Sequence, residues 1–373
     1  MPLVIAIAAL LLPPPPATAM GRESANDRIR SNQWHLQFLR TAEAHRLSQG
    51  EGVVVAVLDT GVDAHPDLAP NLLRGIDLVA GGNGNGQDDL NGHGTGMAGL
   101  IAAKGGQGNR GALGIAPQAH VMPIIVTPAN GNGESDVLAD GIKYAISHGA
   151  KVISISSVGG ASQRLIKAVN AAIMADVVVV ASAGNRPQDA FVGYPASEDG
   201  VIAVGGVNKD GSHAAVSLTG PEIQVVAPAV DIYSTSINGT YRVGTGTSDA
   251  TAIVAGAAAL IRSKYPNLPA EEVAHRLTAT AIDKGPPGRD DECGYGVIDL
   301  VAALTADVPP VGFGSTAATA PVPTRAAPED EGGDGGATAR GLATLGVLLA
   351  AGGGYLVWRR RRRADDPPPR ISR

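Results

Sequence analysis

Ser248 lies where a turn rich in glycine and threonine, 244–247, meets a run of small apolar residues, 250–260. This change predicts a loop that leads into a helix, with the serine at or beside the first helical turn. The unpaired N–H groups of a helix N-terminus suit a nucleophile whose attack creates an oxyanion. The same position is also typical of a serine that only caps a helix. Ser248 by itself is therefore a candidate nucleophile with a simple structural alternative.

Three other residues could complete serine chemistry with Ser248. Asp59 ends the apolar run 53–58, His93 lies in a glycine-rich stretch, and Asn185 follows a strand-like run through a glycine. Serine chemistry needs an imidazole that accepts the hydroxyl proton, a carboxylate that orients the imidazole, and a donor for the oxyanion. The chain order Asp, His, Ser is one of the arrangements in which this constellation recurs.

Each of these residues also has an ordinary interpretation. Asp59 could be a turn residue and Asn185 could cap a turn. His93 could be a loop residue or a metal ligand, with His65 and His120 as partners. Taken together, at strand or helix ends and in this order, the residues predict a serine hydrolase site.

The elements that must position these residues alternate along the chain. Strands are predicted at 53–58, 120–126, 152–156, 177–181 and 201–207. Helices are predicted at 34–48, 94–103, 135–148, 163–175 and 250–260. This alternation predicts an α/β fold, a doubly wound, mostly parallel sheet with helices on both faces. We expect a single domain, 34–305, whose functional groups lie at the carboxyl ends of the strands.

Four motifs contain the candidate residues: Val57-Leu-Asp59-Thr-Gly61, Asn91-Gly-His93-Gly-Thr95, Ala183-Gly-Asn185 and Gly246-Thr-Ser248-Asp-Ala250. They resemble the signature segments of the subtilisin-like serine peptidases. The resemblance implies a subtilisin-like fold and hydrolysis of peptide bonds through an acyl-enzyme. It makes Ser248 the nucleophile, His93 the general base and then acid, and Asp59 the orienting carboxylate. Asn185 and the Ser248 N–H would form the oxyanion hole.

The substrate-binding strand departs from the family pattern by one residue, so either Ser156 or Ser157 could take the family's serine position. Its edge is expected to bind extended substrate through main-chain hydrogen bonds. The resemblance predicts that the primary-specificity pocket is lined by Ser157, Val158 and Gly159 and by Ser182, Ala183 and Gly184.

The serine segment departs from the family pattern as well. Ala252 replaces a proline, for which we expect a straighter helix and no loss of chemistry. Asp249 stands where the family has an apolar residue. A carboxylate is favourable at a helix N-terminus but unfavourable beside a developing oxyanion. We expect Asp249 to restrict turnover unless it faces solvent.

Both ends of the sequence predict export and anchoring. Residues 1–19 are interpreted as a signal peptide, atypical because no Lys or Arg precedes its apolar run, and 20–33 as a flexible lead. Residues 306–340 are predicted to be a disordered linker rich in Pro, Gly and Ala. The uncharged run 341–358 predicts a transmembrane helix, and the basic tail 359–373 is expected in the cytoplasm.

This organisation resembles the mycosins, membrane-anchored peptidases associated with type VII secretion in actinobacteria. The resemblance implies an extracytoplasmic catalytic domain at the plasma membrane, a protein or peptide substrate, and the secretion machinery as a partner. Mycosins often carry disulfides, which the lone Cys293 cannot supply. We expect that cysteine to be a buried apolar residue.

The composition limits other partners and cofactors. A formal net charge of −6 gives no indication of nucleic-acid binding. No cofactor is predicted, and the acidic residues near 77–89 leave structural calcium open without predicting it. The alternatives are a scaffold that stabilises a secretion complex with weak or absent proteolysis, a soluble degradative protease, and an esterase.

Overall fold

The structure, a computed structural model, describes residues 25–79, 84–106, 109–131 and 133–311. The helices are α1 (Ala25–Asn32), α2 (Trp34–Phe38), α3 (Thr41–Ala44), α4 (His93–Ala102), α5 (Ser135–Ser147), α6 (Gln163–Met174), α7 (Thr247–Lys264), α8 (Ala270–Ala279) and α9 (Leu300–Thr305). The strands are β1 (Val54–Asp59), β2 (Ile76–Asp77), β3 (His120–Ile125), β4 (Val152–Ile155), β5 (Val178–Ser182), β6 (Ile202–Val207), β7 (Val225–Pro228), β8 (Ile232–Thr235) and β9 (Tyr241–Gly244).

Seven strands form one parallel sheet in the order β2-β3-β1-β4-β5-β6-β7. Strand β1 lies between β3 and β4, with Leu58 opposite Ile124 on one side and Ile155 on the other. After β1 the chain forms β2 and β3 on one side of that strand. It then forms β4 and the later strands of the sheet on the other side. The carboxyl ends of β1 and β4 therefore meet at the switch point, where open α/β sheets place their sites.

Helices cover both faces of this sheet. Helices α4 and α5 each contact both β1 and β3, but they pack with different partner helices. Helix α7 packs against α4, and α5 packs against α6. Because both faces are covered, the central strands are continuous aliphatic runs with side chains such as Val55 and Val180 fully buried. The predicted α/β fold with a mostly parallel sheet is confirmed.

The N-terminal part of the described chain differs from the prediction. Residues 25–33 were expected to be a flexible lead, but α1 buries Ile29, which is 3% exposed. The Arg30 Nε donates a hydrogen bond to the Gly111 carbonyl oxygen at 3.1 Å. The Gln33 side chain donates to the Leu113 carbonyl oxygen and accepts from its N–H, at 3.0 and 2.8 Å. This segment therefore packs against the rest of the described chain.

The predicted helix 34–48 is instead two short helices, α2 and α3. They are separated because Arg40 adopts a left-handed conformation with φ of 51°. At the other end of the domain, the start of the predicted linker contacts α8: His275 Nε2 lies 3.1 Å from the Pro309 carbonyl oxygen, and the Val311 N–H donates to Glu272 at 2.7 Å. Cys293 is buried, as expected.

The predicted signal peptide, the membrane run 341–358 and the basic tail lie outside the described residues. Within the ranges that are described, no helix has both the length and the apolar character needed to cross a membrane.

Candidate active site

Asp59 and His93 are joined by a short hydrogen bond. Asp59 is the last residue of β1 and His93 is the first residue of α4. The His93 Nδ1 lies 2.7 Å from Asp59 Oδ1, which also accepts the Thr60 N–H at 2.8 Å. The carboxylate is 5% exposed and the imidazole about 30%. This arrangement places the Nδ1 proton on the side of the carboxylate and leaves Nε2 to accept a proton.

The loop before His93 is held by a residue that the sequence analysis did not assign to the site. Both carboxylate oxygens of Asp89 accept hydrogen bonds from neighbouring protein groups. Oδ1 accepts hydrogen bonds from Asn91 N–H, Gly92 N–H and Thr60 Oγ1, and Oδ2 accepts from the N–H and hydroxyl of Thr95, all at 2.6–2.9 Å. Asp89 thus fixes the start of α4. Its position four residues before His93 was the only sequence signal for this role.

Ser248 lies in the first turn of α7, as predicted, because the helix begins at Thr247. Its hydroxyl donates a hydrogen bond to the Ser156 carbonyl oxygen at 3.1 Å. In return, the Ser156 hydroxyl donates to the Ser248 carbonyl oxygen at 3.2 Å. Ser156 directly follows β4, so this pair of bonds fixes the start of α7 at the switch point of the sheet. Rotation about the Cα–Cβ bond of Ser248 would turn its hydroxyl away from Ser156.

Asn185 is held beside the start of α7 by its own side chain. Its Oδ1 accepts the Thr247 N–H at 2.9 Å and the Thr247 hydroxyl at 3.2 Å. These two donors fix which end of the amide is oxygen. The Nδ2 group is then left to donate in the neighbourhood of Ser248.

The charges around His93 raise the pKa of its imidazole above the ordinary value. The largest cause is the Asp59 carboxylate, which favours the imidazolium. Burial of the ring acts in the opposite direction. Two further charges act on the ring: Arg242 lowers its pKa and Asp249 raises it.

Asp249 does not face solvent. Its side chain is 2% exposed, and its Oδ1 lies 3.5 Å from Arg242 Nη1. Burial raises the pKa of this carboxyl, and the positive charges of Arg242 and His93 oppose that rise. The condition under which we expected Asp249 to be harmless, exposure to water, is therefore not met. The charge is instead compensated by an arginine that the sequence analysis did not connect with it.

Residues 50–296 match the family model of the subtilases, Peptidase_S8. The chain belongs to the subtilase family. Its similarity to a thermostable alkaline protease of Halalkalibacterium halodurans is 40% identity over 257 residues, covering 68% of this chain and 69% of that protein. With this membership and such relatives, the chain is a serine endopeptidase that acts on protein substrates.

The solved structures to which this subtilase is similar include mycosins. One is MycP1, described as a serine protease and an essential component of the type VII (ESX-1) secretion system. It is 34% identical with a TM-score of 0.67, over 73% of this chain and 88% of that one. Another is the MycP3 protease from the type VII (ESX-3) secretion system, 32% identical with a TM-score of 0.64, over 74% and 88%. The predicted resemblance to the subtilases and mycosins is confirmed.

A cleft of about 300 Å³ opens beside the Asp59–His93 pair of this subtilase. Besides these two residues, it is lined by Thr60, Asn91, Thr127, Gly131, Ser156, Ser157 and Val158. An adjoining cavity shares Ser157 and Val158 and also contacts Gly159, Leu138, Leu165 and Tyr194. Three of the six predicted substrate-binding residues therefore line cavities next to His93.

The other three predicted substrate-binding residues, Ser182, Ala183 and Gly184, are buried at the end of β5. The Gly184 N–H donates a hydrogen bond to the Thr247 hydroxyl at 3.2 Å. Their role in the pocket stays a prediction. Among the described residues, no group of three or more His, Cys, Asp or Glu side chains could hold a metal ion.

Proposed function

We propose that this subtilase is a mycosin-like endopeptidase whose catalytic domain lies outside the plasma membrane and works with a type VII secretion apparatus. We further propose that Asp59, His93 and Ser248 perform the hydrolysis. The observation that supports the catalytic assignment is the 2.7 Å hydrogen bond between His93 and Asp59 at the switch point, where Ser248 lies in the first turn of α7. The proposed mechanism uses protein groups and one water molecule, without a cofactor.

In the first step, the Ser248 hydroxyl turns from the Ser156 carbonyl towards His93 and attacks the substrate carbonyl carbon. His93 Nε2 accepts the hydroxyl proton, and the Asp59 carboxylate stabilises the imidazolium that results. His93 then gives this proton to the leaving amine, which departs as the acyl-enzyme forms. A water molecule, deprotonated by the same imidazole, hydrolyses the acyl-enzyme in the second half of the reaction.

The tetrahedral oxyanion is stabilised by the Asn185 Nδ2 group and the Ser248 N–H. Ser248 is in the first turn of α7, where backbone N–H groups have no partner within the helix. Asn185 is oriented by its two bonds to Thr247, so its amide is already in place when the charge forms. Donors that need no reorganisation contribute most to this kind of catalysis.

Anchoring and secretion are supported by the sequence and the relatives rather than by the described residues. The uncharged run 341–358 is followed at once by five arginines, 359–363. That pattern favours a membrane span with a cytoplasmic tail. The mycosin structures match about three quarters of this chain, and their descriptions place them in type VII systems.

The catalytic proposal is tested with a fluorophosphonate probe that reacts with activated serines. The full-length protein is compared with Ser248→Ala, and with Ser147→Ala as a control that removes an exposed hydroxyl on α5. We expect labelling of the native protein and of Ser147→Ala, and none of Ser248→Ala. A folded native protein that stays unlabelled would refute the proposed activity.

The anchoring proposal is tested by fractionation. We expect the protein in the membrane fraction after alkaline carbonate extraction. Replacing Leu348 and Leu349 with arginine should release it. Recovery of the native protein in the soluble extracellular fraction would instead support a degradative enzyme without an anchor.

A scaffold role is a second candidate, and one observation favours it. The Ser248 hydroxyl is bonded to Ser156 rather than directed at His93, and the buried Asp249 carboxylate lies next in the chain. The test is the stability of the secretion complex in cells that lack this protein. If the complex is unstable there and the Ser248→Ala variant restores its stability, the scaffold role is supported independently of proteolysis.

A further inference from the structure

Arg242 and Asp249 form an ion pair next to the proposed catalytic residues. The Arg242 Nη1 lies 3.5 Å from Asp249 Oδ1, and the exposed fractions of the two side chains are 24% and 2%. Asp249 directly follows Ser248 on α7, whereas Arg242 is on β9. A buried carboxylate is costly unless a cation compensates its charge. Arg242 supplies that compensation.

The pair occupies a space that two glycines leave open. A Cβ atom at Gly96 would lie 2.6 Å from Arg242 Nη1, and one at Gly244 would lie 2.5 Å from both carboxylate oxygens of Asp249. Either distance is far below an ordinary van der Waals contact. Gly96 is on α4, three residues after His93, and Gly244 ends β9. The pair therefore depends on glycine at both positions.

The strand that holds Arg242 is fixed to the helix that holds His93. On β8, the Ser234 hydroxyl donates to the Gly96 carbonyl oxygen and the Thr235 hydroxyl donates to the Thr95 carbonyl oxygen, both at 2.7 Å. Strand β8 pairs with β9 in antiparallel register, Ser234 opposite Arg242. The guanidinium therefore has a defined position relative to His93.

We propose that Arg242 and Asp249 are positioning residues for His93: together they hold a nearly neutral pair of charges beside the imidazole and tie the β8–β9 hairpin to α7. The inference rests on the proposed role of His93 as the base that activates Ser248. A simple structural ion pair would stabilise the fold without setting the protonation of His93.

Three charged groups act on His93, each from a different element: Asp59 from β1, Arg242 from β9 and Asp249 from α7. Because Arg242 and Asp249 have opposite charges, removing Arg242 should raise the pKa of the imidazole and removing Asp249 should lower it. Loss of Arg242 removes a charge that disfavours the imidazolium. Loss of Asp249 removes one that favours it. Loss of both should leave the pKa of the imidazole near its original value.

The test compares the full-length protein with Arg242→Gln, Asp249→Asn and the double variant. The measured quantity is the rate constant of labelling by a fluorophosphonate as a function of pH, since labelling requires neutral His93. We expect the acid limb of the profile to move to higher pH in Arg242→Gln and to lower pH in Asp249→Asn. The double variant should return close to the native profile. Arg164→Gln, which breaks an exposed pair with Asp140, is the matched control and should cause no shift.

The proposal would be overturned if the acid limb stayed at the native pH in both folded single variants, or if it moved in the same direction in both. If Arg242→Gln does not fold, Arg242→Lys replaces it: it keeps the charge, so its limb should stay near the native one while Asp249→Asn moves down. A proton NMR titration of the His93 ring in the Ser248→Ala background gives the same comparison without activity. Absence of labelling would therefore count against the proposed function, and the titration would still decide the role of the pair.

Discussion

Replacing Asp59 with asparagine tests the hydrogen bond on which the proposed mechanism depends. Asp59 Oδ1 lies 2.7 Å from His93 Nδ1, and the carboxylate is 5% exposed. Asparagine has nearly the same shape, so the fold should persist. Its amide carries no charge to stabilise an imidazolium. Its NH₂ group can also favour the tautomer with the proton on Nε2, which cannot accept the Ser248 proton.

The expected loss follows from the interaction between carboxylate and imidazolium. At about 4 Å between charge centres and an effective dielectric constant of about 20, it amounts to about 4 kcal/mol. That free energy corresponds to roughly a thousandfold in rate. The unfavourable tautomer adds to this loss, so we expect kcat to fall about 10³- to 10⁴-fold with little change in KM.

The assay is steady-state hydrolysis of a peptide anilide by the full-length protein over a range of pH. Because the Asp59 carboxylate raises the pKa of His93, its removal should also move the acid limb of kcat/KM to lower pH. Asp63→Asn is the matched control: this carboxylate accepts the Asn238 N–H at 2.6 Å and should be dispensable for turnover. A decrease in kcat of less than about tenfold for Asp59→Asn would refute the reasoning.

Three further predictions concern the oxyanion hole, the pH dependence of stability and the N-terminal helix. Asn185→Ala should lower kcat about 10²- to 10³-fold at nearly constant KM, a magnitude taken from the subtilisin example of such a donor; a loss in KM alone would contradict the assignment. His35 is fully buried, and burial lowers its pKa to about 3. The unfolded state then binds more protons below about pH 6.5, so stability should fall as pH decreases, by about 2–3 kcal/mol between pH 6.5 and 4.5. Urea unfolding of the native protein and of His35→Leu checks this, because the variant should lose most of that dependence. Ile29→Ala should lower the free energy of unfolding by about 2–4 kcal/mol, measured in the same way, whereas no change would mean that α1 is not part of the cooperative domain.

The elements that could be predicted from sequence are those with a strong local pattern. Strand β1 is a continuous aliphatic run and α6 has an amphipathic repeat, so both were found within a residue or two. Strands β8 and β9 mix polar and apolar residues over four positions each, which is too short for periodicity to decide. The break between α2 and α3 depends on the left-handed conformation of Arg40, which an arginine side chain does not favour.

The site shows the same division. Asp59, His93, Asn185 and Ser248 could be proposed because each lies in a distinct motif at the end of an element. The partner of Asp249 could not, because the contact with Arg242 depends on how a hairpin docks on α4 rather than on any local pattern. Asp89 was noticed only as an acidic loop residue. Its five hydrogen bonds, four from residues around His93 and one from Thr60, become visible only when the chain is folded.

Two carboxylates act on the same imidazole in this protein, and their surroundings separate their roles. Asp59 contacts His93 directly, so in the proposed mechanism its charge is available when the imidazolium forms. Asp249 is buried against Arg242, which offsets its charge and limits its repulsion of a developing oxyanion. An acidic residue beside a nucleophile therefore does not by itself indicate an inactive enzyme. What matters is whether a cation is held against it, and here Gly96 and Gly244 leave the space in which that cation fits.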